Sequence, residues 1–287
     1  MSDTAEIKHR IKSISDTRQI TKAMELISVA KMRKAMEKQA VNAAYFNSVR
    51  STIKDIMRHS TDIHHKYLEH RPNDRTAYIV IAGDKGLAGA FNNNVLNMAW
   101  EHMQTRPVHY VVTIGQMARA FFEHKHQPVD LEFTHAVTNP TLHDARGIMR
   151  DILDLYDKNL MDEVVVVFTR MYSTTVQKPE LVRLLPIVET DIPGEETSSF
   201  TGDILYDPSP REVLNVLVPQ YLVGMIYSVL IHSFASEHAA RMLAMSNANK
   251  NADAMLESLN LEYNRSRQDA ITTELLDLAS SRFSEGG

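Results

Sequence analysis

The chain has 287 residues, a formal net charge of −5 at pH 7 and no cysteine. That length supports one or two domains with a substantial core. The missing cysteines exclude disulfides, thiolate zinc sites and cysteine nucleophiles and fit a reducing compartment, while the mildly acidic balance gives nucleic-acid binding no global support.

The opening MSDTAEIKHRIK is polar and lacks an apolar h-region, so no secretory signal is expected. From Asp3 to about Arg58 there is neither proline nor glycine. Apolar residues recur at Ile7, Ile11, Ile14, Ile20, Met24 and Ile27, then at Phe46, Val49, Ile53 and Ile56, mostly three, four or seven apart with one six-residue step. This spacing predicts one long amphipathic helix over 1–58, about 80 Å at 1.5 Å per residue, with a lysine- and arginine-rich polar surface.

A polar, histidine-rich stretch, RHSTDIHHKYLEHRPNDR (58–75), leads into a different texture. Short β-branched runs at 77–82, 108–114 and 163–169 alternate with helical patterns near 87–104, 115–125 and 141–160, and 181–188 reads as a further strand ending near Pro186. Strands of this kind, alternating with helices, predict a mostly parallel α/β domain over 76–190. The loop after the first strand, GDKGLAGAFN (83–92), places glycines as G-x-x-G-x-x-G. Neither the dinucleotide fingerprint nor the P-loop has that spacing, and a tight turn with a helix starting at Leu87 accounts for it without a phosphate.

Helical texture returns over 209–287, interrupted near its start by Pro219 and Gly224. Its most apolar part, 216–231, is broken by Pro219, Gln220 and Gly224, so a soluble protein that meets a membrane only through a partner is expected. Leu222, Met225, Val229, Met242, Ala252, Met255, Leu259, Tyr263, Ala270 and Leu278 form the expected seam. A helix of about 110 Å needs a comparable partner, and the first helix is the one available. Residues 3–38 carry nine Lys/Arg against five Asp/Glu, and 209–287 carry six against nine, so the two ends have opposite charge. The predicted fold is α/β: a long antiparallel two-helix coiled coil of the termini with an inserted Rossmann-like domain.

Catalytic chemistry is hard to find. Of the thirteen histidines, several lie in the 58–75 stretch or in FFEHKHQP (121–128), without ligand spacing for a metal. No hydrolase or metalloprotease motif is present. No catalytic residue, cofactor or metal is therefore expected. Three roles suit a two-helix rod on an α/β base: a shaft or lever, a nucleic-acid-binding arm, and a coiled-coil scaffold. The basic first helix supports the arm, but Tyr45 and Phe46 are the only aromatics in residues 1–60, which leaves little for base stacking.

IKHRIKSISDTRQITKAMELISVAKMRKA (7–35), GDKGLAGAFN (83–92), YDP (206–208), SEHAARMLAM (236–245) and LEYNRSRQDAITTELL (261–276) together closely resemble the gamma subunits of F-type ATP synthases. The resemblance implies a rotary central stalk, one copy per complex, that turns with the c-ring and drives the beta catalytic sites through different affinities. Implied partners are the alpha, beta and epsilon subunits and the c-ring; the membrane is met only through Fo, on its cytoplasmic face. Arg10, Met24, Lys31 and Lys85 match positions facing beta, with Arg10 nearer the tip, and Arg267, Gln268, Thr272 and Glu274 match polar catch contacts to beta loops. Tyr206 matches the part of the foot on the c-ring. Ser266, Asp269 and Thr273 depart from the family pattern, as do Leu243 and Ser246. No cysteine-bearing regulatory insertion or transit peptide is present, which implies a bacterial type.

Overall fold

The computed structural model describes residues 2–59, 64–72, 75–106, 108–134, 136–188 and 209–284. Tyr206 lies outside them, and so do the side chains of Glu274 and Leu278. The first helix, α1, runs Ser2–His59, and the last, α5, runs Pro210–Ser284. Between them come β1 (Arg75–Ile81), α2 (Phe91–Met103), β2 (Val108–Ile114), α3 (Gln116–His124), β3 (Leu131–Phe133), α4 (Leu142–Asp157), β4 (Glu163–Met171) and β5 (Gln177–Leu185).

Three elements differ from the sequence expectation. Helix α2 begins at Phe91, four residues after Leu87, because Leu87 adopts φ +62° and Gly89 φ +57°, conformations that no helix accommodates. The three-residue β3 was missed; it is too short for periodicity to register. Strand β5 starts earlier, at Gln177, and ends before Pro186, which has no N–H for the ladder.

The sheet order is β3-β2-β1-β4-β5, parallel throughout except for β5, which pairs antiparallel with β4. Side chains alternate across it. Tyr78, Val80, Ala82, Val165 and Val167 face Val95, Leu96 and Ala99 of α2 and Ala118 and Phe122 of α3. Ala77, Ile79, Ile81, Val164 and Val166 join a second core with α4, the later part of α1 and the early part of α5. Thr141 starts α4 with a reciprocal capping box: its hydroxyl accepts from Asp144 N–H, and the Asp144 carboxylate accepts from Thr141 N–H.

The chain divides into two compact units, 29–240 and 1–28 with 241–287. Within the larger, Val49, Ile53 and Ile56 of α1 pack with Leu214, Val218, Leu222 and Ile226 of α5. Gln39 meets His232 at 2.8 Å, and Tyr45 donates to Gln220, so the two helices run antiparallel. Phe46 packs against Gly224, where a Cβ would sit 2.2 Å from the ring. One stretch of α5 is long and apolar enough to cross a membrane by length and composition alone. More than half of that stretch is buried within the protein, and core packing accounts for its apolarity.

Candidate partner-binding surfaces

The glycine-rich loop after β1 is held from beneath. Gly83 N–H donates to Asn92 Oδ1 at 2.8 Å, and Asn92 Nδ2 donates to the Lys85 carbonyl at 3.3 Å, so one buried amide fixes both ends of the turn. Asp84 accepts from Gln116 N–H and from the Thr138 hydroxyl, tying the loop to α3 and to the segment before α4. On this support Lys85 is exposed and Leu87 presents an apolar side chain that is 66% exposed. Holding leucine at positive φ costs on the order of 1–3 kcal/mol, and strain of this kind clusters at functional sites. Leu87 is the residue that reading the sequence as a helix start concealed; its signal was an apolar residue between Gly86 and Gly89.

In open α/β sheets a ligand binds at the carboxyl ends of the strands where the winding reverses. Here that point lies between β1 and β4, since β1 leads to β2 on one side and α4 returns the chain to β4 on the other. Helix α5 occupies it. Ser236 Oγ donates to the Thr169 carbonyl at 3.1 Å, and a Cβ on Gly83 would stand 3.0 Å from the Glu237 carboxyl carbon. With its N–H given to Asn92 and a carboxylate against its α-carbon, Gly83 has no role left in a phosphate cradle.

In the smaller unit the seam between the helices differs from the one expected. On α1 it runs through Ile7, Ile11, Ile14, Arg18, Thr21, Glu25 and Ser28, and on α5 through Met245, Asn249, Ala252, Leu256, Leu259, Tyr263, Ser266 and Ala270, in alternating steps of four and three. Its middle is polar. Asn249 Nδ2 donates to Glu25 Oε2 at 2.8 Å, the Thr21 hydroxyl reaches Asn249 Oδ1, and Arg18 pairs with Asp253 at 2.5 Å. Ile20 and Ile27 point outward, at 62% and 56% exposed. The six-residue step from Ile14 to Ile20 explains this: it falls about 120° short of two full turns and leaves the stripe, and Ile27, seven further, shares the outward face. Met255, also assigned to the seam, is 54% exposed.

The expected contact residues divide between the two units. Arg10, Arg267, Gln268 and Thr272 are exposed and Met24 half-buried, all in the smaller unit; Thr272 Oγ1 donates back to the Gln268 carbonyl at 2.9 Å. Met24 lies beside the Asn249 layer, whereas Arg267 is 18 positions further along α5, roughly 27 Å at 1.5 Å per residue, so the helices do not bring them together. Lys31 and Lys85 are exposed in the larger unit, and Lys31 lines a cleft with Lys34 and Lys38, whose ammonium donates to Asn139 Oδ1 at 2.9 Å. Among the described residues no group of three or more His, Asp or Glu is placed to hold a metal ion.

A sequence model of the ATP synthase family matches residues 3–282. The chain is 43% identical over 281 residues to the ATP synthase gamma chain of Ruminiclostridium cellulolyticum, covering 95% of each, and 41% identical over 277 residues to that of Alkaliphilus metalliredigens, covering 96% of each. Its fold matches a chain in the rotor of the Euglena gracilis mitochondrial ATP synthase, with a TM-score of 0.65 at 15% identity, covering 94% of this chain and 99% of that one. A second match, in the central stalk and c-ring of the Tetrahymena thermophila mitochondrial ATP synthase, has a TM-score of 0.61 at 19% identity and covers 80% and 99%. The chain belongs to the ATP synthase gamma-chain family.

Proposed function

We propose that this chain is the rotary central stalk of an F1Fo ATP synthase, carrying torque between the ion-driven c-ring and the catalytic beta subunits. The observation that carries this reading, beside family membership, is a polar layer in the middle of the seam between the paired helices, with large apolar side chains displayed outside it. Their seam holds Thr21, Glu25 and Asn249, while Ile20, Leu26 and Ile27 of α1 and Leu261, Leu275 and Leu276 of α5 are exposed. Apolar side chains displayed this densely on two neighbouring helices mark a surface that partners cover. Exposed apolar side chains without deep interlocking suit a shaft turning within a ring.

The chain itself carries no catalytic group in this reading. Its work is differential contact: a ligand or partner shifts an equilibrium only through unequal affinity for its states, and an asymmetric shaft touches three beta subunits unequally. Lys85, on its braced turn, forms passing ion pairs with beta carboxylates, with Leu87 making the apolar contact beside it. Arg10, Met24, Lys31, Arg267, Gln268, Thr272 and Glu274 are further contacts to beta, and Tyr206 a contact of the foot to the c-ring. As part of F1 the chain is peripheral to the membrane, on the cytoplasmic face of a bacterial cell. The nucleic-acid arm loses Phe46, packed on Gly224, as a stacking group, which leaves a single exposed aromatic, Tyr45, on α1.

The test is reconstitution with alpha and beta subunits. ATP should drive rotation of a probe fixed to this chain in the assembled ring, and the chain alone should hydrolyse no ATP. A ring that hydrolyses ATP while the probe stays still removes the rotary role, and hydrolysis by the isolated chain removes the non-catalytic one.

A further inference from the structure

We infer that Ser236 and Glu237 form a torsional key that locks α5 against the α/β sheet and sets how stiffly the sheet and the helix turn together. The inference rests on the rotary reading above. A smooth helix lying on an apolar face can roll about its own axis, because hydrophobic contact is non-directional. Hydrogen bonds and close backbone approach are directional, and here they sit at the ends of two neighbouring strands. Ser236 Oγ reaches the Thr169 carbonyl just beyond the last β1–β4 pairing, and the Glu237 carboxylate is lodged against Gly83, just after β1.

Each side of the contact is built for it. Gly83 leaves room for the carboxylate, since any Cβ would stand 3.0 Å from Glu237 Cδ and 3.2 Å from both carboxylate oxygens. Ser236 is fully buried, Ala235 and Ala239 nearly or fully so, and these small side chains let the helix come close to the strand ends. Glu237 is 8% exposed, so its carboxylate is confined between helix and sheet and cannot swing aside into water. Rolling α5 in either direction would break the Ser236 bond or drive the carboxylate into the Gly83 backbone. Close-packed contacts of this kind transmit strain rather than absorb it. Ser236 and Glu237 are thus positioning residues: they touch no nucleotide and act through the helix they hold.

The experiment measures angular fluctuation of a probe on the α/β domain of the full chain, assembled in an alpha3-beta3 ring held on a surface. Glu237→Ala should widen the angular variance about twofold, because a packed contact that transmitted strain is gone, and Gly83→Ala, which displaces the carboxylate by a few tenths of an ångström, should widen it less. Glu237→Gln, which keeps the shape, should restore wild-type variance. A merely structural role would lower the unfolding midpoint without changing the variance, so urea melts of the same variants are run beside it. Wild-type variance in both Glu237→Ala and Gly83→Ala overturns the key while the wild-type chain still rotates. Failure of the wild-type chain to rotate would instead overturn the function it rests on.

Discussion

Asn249 of α5 donates its side-chain amide to Glu25 of α1 at 2.8 Å, in the middle of a seam where a coiled coil would ordinarily place leucine or isoleucine. A polar pair at such a position fixes register at a cost in stability. Lys22 also reaches Glu25, at 3.1 Å, and Arg18–Asp253 sits one turn away, so the layer is a small network. Asn249→Ala should lower stability by about 1–2 kcal/mol, by leaving a partly buried carboxylate short of a donor. Asn249→Leu should recover that loss and let the helices sample more than one register. Urea melts read the first, and spin-label distances between α1 and α5 read the second as a broadened distribution.

Gly224 is required by Phe46. An added methyl would lie 2.2 Å from the ring edge, so Gly224→Ala should cost about 2–3 kcal/mol through overpacking. Adding Phe46→Leu should return part of it, making the double variant less damaged than the sum of the singles. A purely additive result in thermal melts would mean that the clash is relieved elsewhere.

Burial lowers His232 from 6.5 to about 4, with Arg170 pushing the same way and Glu180 opposing. Its ring also meets Gln39 and lines a cavity of ≈ 270 Å³ with Arg50 and Arg170. The folded pKa lies below the unfolded value, so the unfolded chain takes up the proton first. Stability is therefore complete above pH 6.5 and falls as pH drops toward 4, by at most about 3 kcal/mol. His232→Gln should flatten that part of the profile. His65, lowered chiefly by burial, shares the direction and leaves a residual slope. Denaturant midpoints at pH 7.5, 6 and 4.5 test this, and a His232→Gln slope equal to wild type would contradict it.

Leu87 and Lys85 separate stability from function. Leu87→Gly should raise stability by about 0.5–1 kcal/mol, since release of the positive-φ strain outweighs the entropy glycine adds to the unfolded chain. The same change should weaken binding to the ring. Lys85→Glu, at an exposed position, should leave the melting curve unchanged and slow ATP-driven rotation several-fold by setting like charges together. Rotation at the wild-type rate in both variants would remove the loop from the contact surface.

The long helices were legible because nothing between Ser2 and His59 interrupts them, and the middle domain because its strands are continuous β-branched runs. The resemblance of five ordered motifs to one family was also contained in the residues alone. What the sequence could not locate was the seam through Thr21, Glu25 and Asn249, for apolar periodicity is blind to a stripe whose middle is polar and whose neighbours, Ile20 and Ile27, are apolar. Leu87 was misplaced for a related reason: helix propensity says nothing of a turn imposed by Asn92 from beneath. Backbone texture is set by local preference and can be read residue by residue. Which side of a helix faces inward, and that α5 fills the crevice at Gly83 and Thr169, depends on pairings more than 60 residues apart in the chain, and only the folded arrangement makes them.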